Sequence, residues 1–431
     1  MKHLLSLSIL LSASLNVFAS WDGTSTIWTQ GTGSESDPYL IENEQHLAFL
    51  QKSVNEGMTY EGKCFLLTTD MDMSGKIFNP IGIHDDYILE NEIIEESKPF
   101  LGTFDGAYFT IDNVIIELAE EDEYEIGGVG LFALGRSSTF IKNLRLGENV
   151  VINANGSPMT GSVMGVSYGS TIENCSFAGK LNGGTVETGG ILGRAESGSK
   201  LRGCINSGDI TGNSFSGGIV GSTEIATISD CLFSGSLNGN MGYWIGGIIG
   251  WALNSTLSSS VSIGNIVGET GSSYMPGISP ICAELEKTTA SNCFYVETLT
   301  GCKPSGKQEG VIALSETEIK TEETIAILNN GEEGEWILSP DNGYPTLRWT
   351  LSSEAGIKSF QYDNNIEIKN MNGLILIKAK NAEYSLFDIS GKILSSGLVK
   401  DQILLSPNYK GIGILKVRSS EGQEKTLKIK L

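Results

Sequence analysis

The side chains that could carry chemistry are few and widely spaced. Histidine occurs only at His3, His46 and His84, and none belongs to a His-Glu-x-x-His pattern, so the usual zinc-peptidase helix is absent. No Gly-x-Ser-x-Gly stands with a matching His and Asp context. Seven cysteines occur without a Cys-x-x-Cys. Cys175, Cys204, Cys231 and Cys293 recur at one position of a repeat and read as a column of small buried side chains. Cys282, Cys293 and Cys302 lie close in sequence and are the better disulfide candidates, their pairing left open. Asp70-x-Asp72-x-Ser74-Gly75 matches the opening of a calcium loop, but Ile81 stands where the closing acid belongs. Alternation from Phe65 to Met73 predicts a half-buried strand with both Asp on its outward face. Calcium at Asp70 and Asp72 is therefore the alternative to no cofactor. Tyr243, Trp244 and Trp251 flank one Gly-rich strand, where exposed rings would suit sugar stacking and packed ones a corner. Glu187 and Asp209 are the candidate catalytic carboxylates, without an obvious partner in the adjoining repeats.

The elements that must position these residues are written repeatedly. Gly189-Gly-Ile-Leu-Gly193 returns as Gly217-Gly-Ile-Val-Gly221 and Gly246-Gly-Ile-Ile-Gly250, and Gly161-Ser-Val-Met-Gly165 precedes them. A hydrophobic-x-polar-Cys signal follows each: Ile172 to Cys175, Leu201 to Cys204 and Ile228 to Cys231, with Leu257 to Ser260 losing the Cys. Ile111 and Ile141 extend the series upstream at the same spacing, and Ala290 to Cys293 downstream, about seven rungs in all. Short runs of Ile, Val, Thr and Ser punctuated by Gly are strand-and-turn chemistry. One unit cannot bury itself, but stacked units bury one another. Three short strands and three corners per unit give a coil of a right-handed parallel β-helix. Ile111, Ile141, Ile172, Leu201, Ile228 and Leu257 then form one column, and Leu181, Ile210, Leu237 and Ile266 another. Asn113, Asn143, Asn174, Asp230 and Asn292 read as a corner ladder of side-chain-to-backbone hydrogen bonds.

The Gly-hydrophobic-hydrophobic-Gly signature with its following Ile-x-Asn-Cys resembles the GLUG-motif repeat of bacterial surface proteins, which also occurs beside the catalytic domain of immunoglobulin-A-specific metallopeptidases. Asp37-Pro-Tyr-Leu-Ile41, Gly62 to Gly75 and Phe100 to Gly106 are similar to the lead-in of that family. The resemblance covers roughly residues 30 to 350 and implies an architecture more than an activity.

Residues 1–20 read as a signal peptide, with Lys2, an apolar Leu4 to Leu15 and Val17-Phe-Ala19 before the cut. No later segment is apolar enough to span a membrane. Residues 21–350 form the repeat domain. Within it, Asn43 to Glu56 reads as an N-terminal capping helix. Ser315-x-x-Glu318 is a capping box opening a helix from Thr317 to Leu328 that closes or flanks the other end. The formal net charge is −22; residues 357–431 hold 12 Lys and Arg against 7 Asp and Glu, a net of +5 that leaves −27 elsewhere. That sign change marks a boundary near Gly356, and the acidic part argues against nucleic acid. Much of the acid lies in two loops, Asp85 to Glu96 and Glu117 to Glu125. Strands at Leu374 to Ile377, Tyr384 to Ile389, Ile412 to Val417 and Leu427 to Ile429, with turns such as Ser390-Gly391, predict a small antiparallel β-sandwich. Tyr384 to Leu394, Gly411 to Val417 and Leu427 to Leu431 resemble the C-terminal sorting domain of type IX secretion cargo in Bacteroidetes. The Pro-Asn-Pro that opens such domains is absent near Gln361 to Asn365.

These features point to an all-β, exported, non-enzymatic protein of the cell surface or outer membrane. Its β-helix faces bind a host or matrix glycan or protein. The alternative is a β-helical lyase or glycosidase.

Overall fold

A computed structural model describes residues 21–84, 86–89, 92–95, 97–118, 127–154, 156–240, 242–268, 277–304, 308–332, 334–355, 366–371, 374–379, 382–388, 392–400, 402–405, 412–419 and 424–430. The signal segment, most of the second acidic loop, the Ser390-Gly391 turn and the stretch from Gly356 to Asn365 lie outside them. The first acidic loop contributes an antiparallel hairpin, Asp86–Leu89 with Glu92–Glu95.

The repeats stack as a parallel β-solenoid. Each full coil holds five short strands, not three. In one coil these are Glu187–Gly189, Leu192–Glu196, Lys200–Arg202, Ile205–Asn206 and Asp209–Thr211. Stacked in register they make five ladders, called first to fifth in that order; the third and fourth are nine strands deep and the others six. Two extra strands fit because Gly allows bends at carbonyl contact. A Cβ at Gly189 would lie 2.0 Å from the Leu192 oxygen, and one at Gly217 or Gly246 1.9 Å from the oxygen three residues on. At Gly193, Gly221 and Gly250 it would lie 2.6 Å from a carbonyl of the previous coil. The outer glycines of the motif are thus the two contacts that fold the first ladder back against the second.

Inward residues repeat by column. Ile141, Ile172, Leu201, Ile228 and Leu257 pair in succession along the third ladder and are fully buried. Ile111 does not belong to that column. It pairs with Leu146 in the fourth ladder, and Phe104 takes the place beside Ile141. The motif misled because an apolar-x-Asn corner occurs both after the third ladder and after the fourth. Leu181, Ile210, Leu237 and Ile266 form a column of the fifth ladder as expected. Asn143, Asn174, Asp230 and Asn292 sit at the third-to-fourth corner with φ between 52° and 55°, the left-handed region that Asn and Asp tolerate. Their side chains bond mainly to neighbouring side chains rather than to backbone. Asn143 Nδ2 donates to Asp105 (2.9 Å) and Asn174 Nδ2 to Asn143 (3.4 Å). Asn113 lies one corner later and donates to Asp72 (2.9 Å).

The helix Glu44–Asn55 covers the N-terminal end. Asn43 caps it by accepting from the His46 amide, and Leu47, Leu50 and Val54 enter the same core cluster as Phe65 and Phe100. At the other end, Ser315 and Glu318 do form the capping box (2.8 and 3.3 Å), but residues 316–320 stay in turns. The helix is shorter, Glu322–Leu328, and Thr321 caps it. It does not close the coil. Residues 319–349 run back along the outer face of the fourth ladder, where Ile325, Leu328, Trp336, Leu347 and Trp349 cover Ile205, Leu232, Val261 and Phe294.

The C-terminal strands form two antiparallel sheets, of three and four strands. They share a core of Ile375, Ile377, Leu386, Val399, Leu405, Leu415 and Val417, as a sandwich requires. Leu376 and Leu404, on the other face of the smaller sheet, pack with the solenoid's cluster. Gln402 beside them donates to Glu42 (3.4 Å).

Candidate functional site

The first and second ladders carry the site. The residue two before each Gly-Gly is Glu187, then Phe215, then Trp244, on successive coils. The outward column of the second ladder runs alongside them: Arg194, Ser222, Trp251, Glu284 in register. Phe215 and Trp244 both hold φ above zero, 50° and 57°, a conformation costing bulky side chains of order 1–3 kcal/mol. It turns both rings the same way. Phe215 stacks on Trp244 with centroids 4.7 Å apart and planes 8° from parallel. Trp251 meets Phe215 edge-on at 6.1 Å, and Tyr243 meets Trp244 edge-on at 6.4 Å. The Trp244 indole donates to Glu284 Oε2 (2.6 Å). All four rings are half-buried. The fold therefore assembles Tyr243, Trp244 and Trp251 into one shelf, and adds Phe215. Sequence reading missed Phe215, although it occupies the same repeat position as Trp244.

One coil before the shelf, Glu187 is 8% exposed. Arg194 Nη1 pairs with its Oε1 at 3.2 Å, and the Ser222 hydroxyl donates to the same oxygen at 2.8 Å. Arg194 also pairs with Glu196. Burial pushes the Glu187 carboxyl above its ordinary range, while Arg194 pulls it back. Glu187 is thus held by an arginine of its own coil and a serine of the next. The Gly189 bend returns the chain so that Arg194, seven residues on, reaches it. Asp209 is exposed on the fifth ladder, a different face. Further toward the N-terminus, Arg136 lies 5.9 Å from the ring of Tyr168, whose hydroxyl is 3.5 Å from His84 Nε2.

The other candidates make hydrogen bonds within the fold. Asp70 accepts from the Thr110 amide (2.7 Å), and Asp72 from the Ser74 amide (2.7 Å) and Asn113. Both are exposed as expected, but only Asp72 lies in a strand, the two-residue Met71–Asp72. Among the described residues no group of three or more His, Cys, Asp and Glu could hold a metal ion. His46 is buried in the capping helix, where desolvation lowers its pKa, and its Nδ1 accepts from the Glu42 amide. His84, at the start of the first acidic loop, is buried too. All seven cysteines are free thiols, so Cys282, Cys293 and Cys302 are unpaired. Cys204, Cys231 and Cys293 each direct Sγ to the carbonyl two residues back, at 3.2–3.5 Å. Ser260, which replaces the Cys in this column, makes the same bond at 2.9 Å. Burial pushes the Cys175 and Cys204 thiols well up, and those of Cys293 and Cys302 to about 12, so none is a ready nucleophile.

No family model matches the sequence. The chain is similar to halomucin of Haloquadratum walsbyi, with 31% identity over 191 residues. The match takes in 42% of this chain and 2% of that protein's length. No helix among the described residues is long and apolar enough to cross a membrane.

Proposed function

We propose that this is a non-enzymatic surface protein that binds a saccharide on the shelf of Phe215, Tyr243, Trp244 and Trp251. The solenoid fold and the similarity to halomucin are compatible with a surface protein. The observation that carries the binding role is the shelf: four rings gathered from neighbouring coils, two held at strained backbone angles. Strain of that kind collects at functional sites, and amphipathic rings offer flat apolar area for a sugar face. Export by the N-terminal segment, GLUG-type ancestry, outer-membrane association and a sorting role for residues 357–431 belong to the same proposal, with no resident cofactor. The test is a glycan array read with the full chain and with a Trp244→Ala/Trp251→Ala variant. Retained array binding by the double variant would remove the shelf from the reading.

A second reading, a β-helical carbohydrate-active enzyme, is favoured by Glu187, a buried carboxyl with a raised pKa beside an arginine. Arg194 ties Glu187 and Glu196 into one ion-paired network, which argues for a structural role. Release of new reducing ends or unsaturated products from any bound polysaccharide would promote this reading over the first.

A further inference from the structure

We propose that the ligand of the aromatic shelf is cationic: an oligosaccharide bearing free, protonated amines. The inference rests on the shelf being the binding surface and adds its charge class.

The wall formed by the first and second ladders divides into two halves. The N-terminal half is neutralised internally, since Arg194 is shared by Glu187 and Glu196, and Arg136 lies over Tyr168. The half that carries the shelf holds three carboxylates outside any ion pair among the described residues, with Lys287 following Glu286 at the corner. On the second ladder's last strands, Val220–Glu224, Ile249–Leu253 and Cys282–Glu286, the outward columns read Ser222, Trp251, Glu284 and Glu224, Leu253, Glu286. No Lys or Arg stands in either column at these coils. Glu224, Glu284 and Glu286 make no ion pair among the described residues; the Glu284 carboxylate accepts from the Trp244 indole.

In-register stacking brings Glu224 directly beside Glu196, whose arginine is already shared with Glu187. Glu224 therefore lacks a countercharge of its own among the described residues, and a bound amine would supply one. The rings act in the same direction, because a ring face attracts a cation through its quadrupole, most strongly for Trp. The indole bond turns a Glu284 oxygen toward the shelf, so carboxylates and ring faces meet on one surface. A neutral sugar would use only the rings. A uronic acid would face three carboxylates. A sugar with protonated amines uses both.

The experiment titrates the full chain with three oligosaccharides of equal length: glucosamine with free amines, its N-acetylated counterpart and a polyuronate. Binding is followed by tryptophan fluorescence and calorimetry. The free-amine oligomer is expected to bind about tenfold or more tighter than the acetylated one at low salt, an advantage that shrinks as salt rises. Glu224→Gln/Glu286→Gln should reduce that advantage, keep affinity for the acetylated oligomer, and leave the circular dichroism unchanged; Glu284 is left intact to preserve its bond to Trp244, and an undiminished advantage would overturn the part given to the other two carboxylates. Equal or better binding of the acetylated oligomer or the polyuronate would overturn the charge class and leave the saccharide shelf standing. Binding of none of these, together with a blank glycan array, would remove both.

Discussion

Glu187 gives the residue scale its sharpest test. Its carboxyl is raised by burial, so the folded chain binds this proton more tightly than the unfolded chain does. Where the unfolded carboxyl has already ionised and the folded one has not, the native state holds more protons, and stability falls as pH rises. The window opens at the ordinary carboxylate value, 4.5, and runs upward through the raised one. Glu187→Gln removes that dependence. Denaturant melts of both proteins across this window should show the variant with the flatter profile, and parallel profiles would refute the assignment. The cysteines give a second test. All seven are free thiols, so alkylation of the unreduced, denatured protein should label all seven, and mass loss on a linked pair would contradict the structure. The cysteine column was legible in the sequence because its members recur at one repeat position. The ion pair was not, because Arg194 reaches Glu187 only through a bend set by glycine contacts that no charge pattern records.

Elements are held by two kinds of contact, inward columns and glycine approaches. The columns could be read from spacing because their inward positions are filled mostly by apolar side chains. The misplacement of Ile111 shows where this fails: two successive corners use the same apolar-x-Asn chemistry, and only the register of Ile111 with Leu146 tells them apart. The five strands per coil were hidden for a related reason, since strands of two or three residues carry no periodicity of their own. Ile228 tests this logic, being fully buried between Leu201 and Leu257 in the third ladder. Ile228→Ala should cost about 2–5 kcal/mol, read as a lower denaturation midpoint. Gly217→Ala should be at least as damaging, since its Cβ would sit 1.9 Å from the Val220 oxygen. Gly198→Ala meets nothing within 4 Å and pays only the strain of its φ of +87°, so it should be the milder of the two. The reverse order would discard the account of the repeat motif.

At the scale of the whole molecule, the solenoid and the sandwich differ in charge and are each built around a core. The solenoid is covered lengthwise by the segment that runs back over the fourth ladder. Trp349 ends it, stacking on Tyr108 at 5.5 Å and donating through Nε1 to the Gly203 carbonyl at 3.0 Å. The contacts of residues 319–349 therefore complete the repeat domain before the sandwich begins, and a chain ending after residue 355 keeps them all. Such a truncation should retain a β-type circular dichroism spectrum and cooperative unfolding. It loses the packing of Leu376 and Leu404 on the solenoid, so a lower midpoint is expected, but not loss of the transition. In the native host the same truncation tests sorting. If residues 357–431 direct export, the truncated protein should accumulate folded inside the cell envelope. Folded protein on the surface would make the sandwich an accessory domain, and because cooperative unfolding is checked separately, failure to reach the surface could not be mistaken for failure to fold.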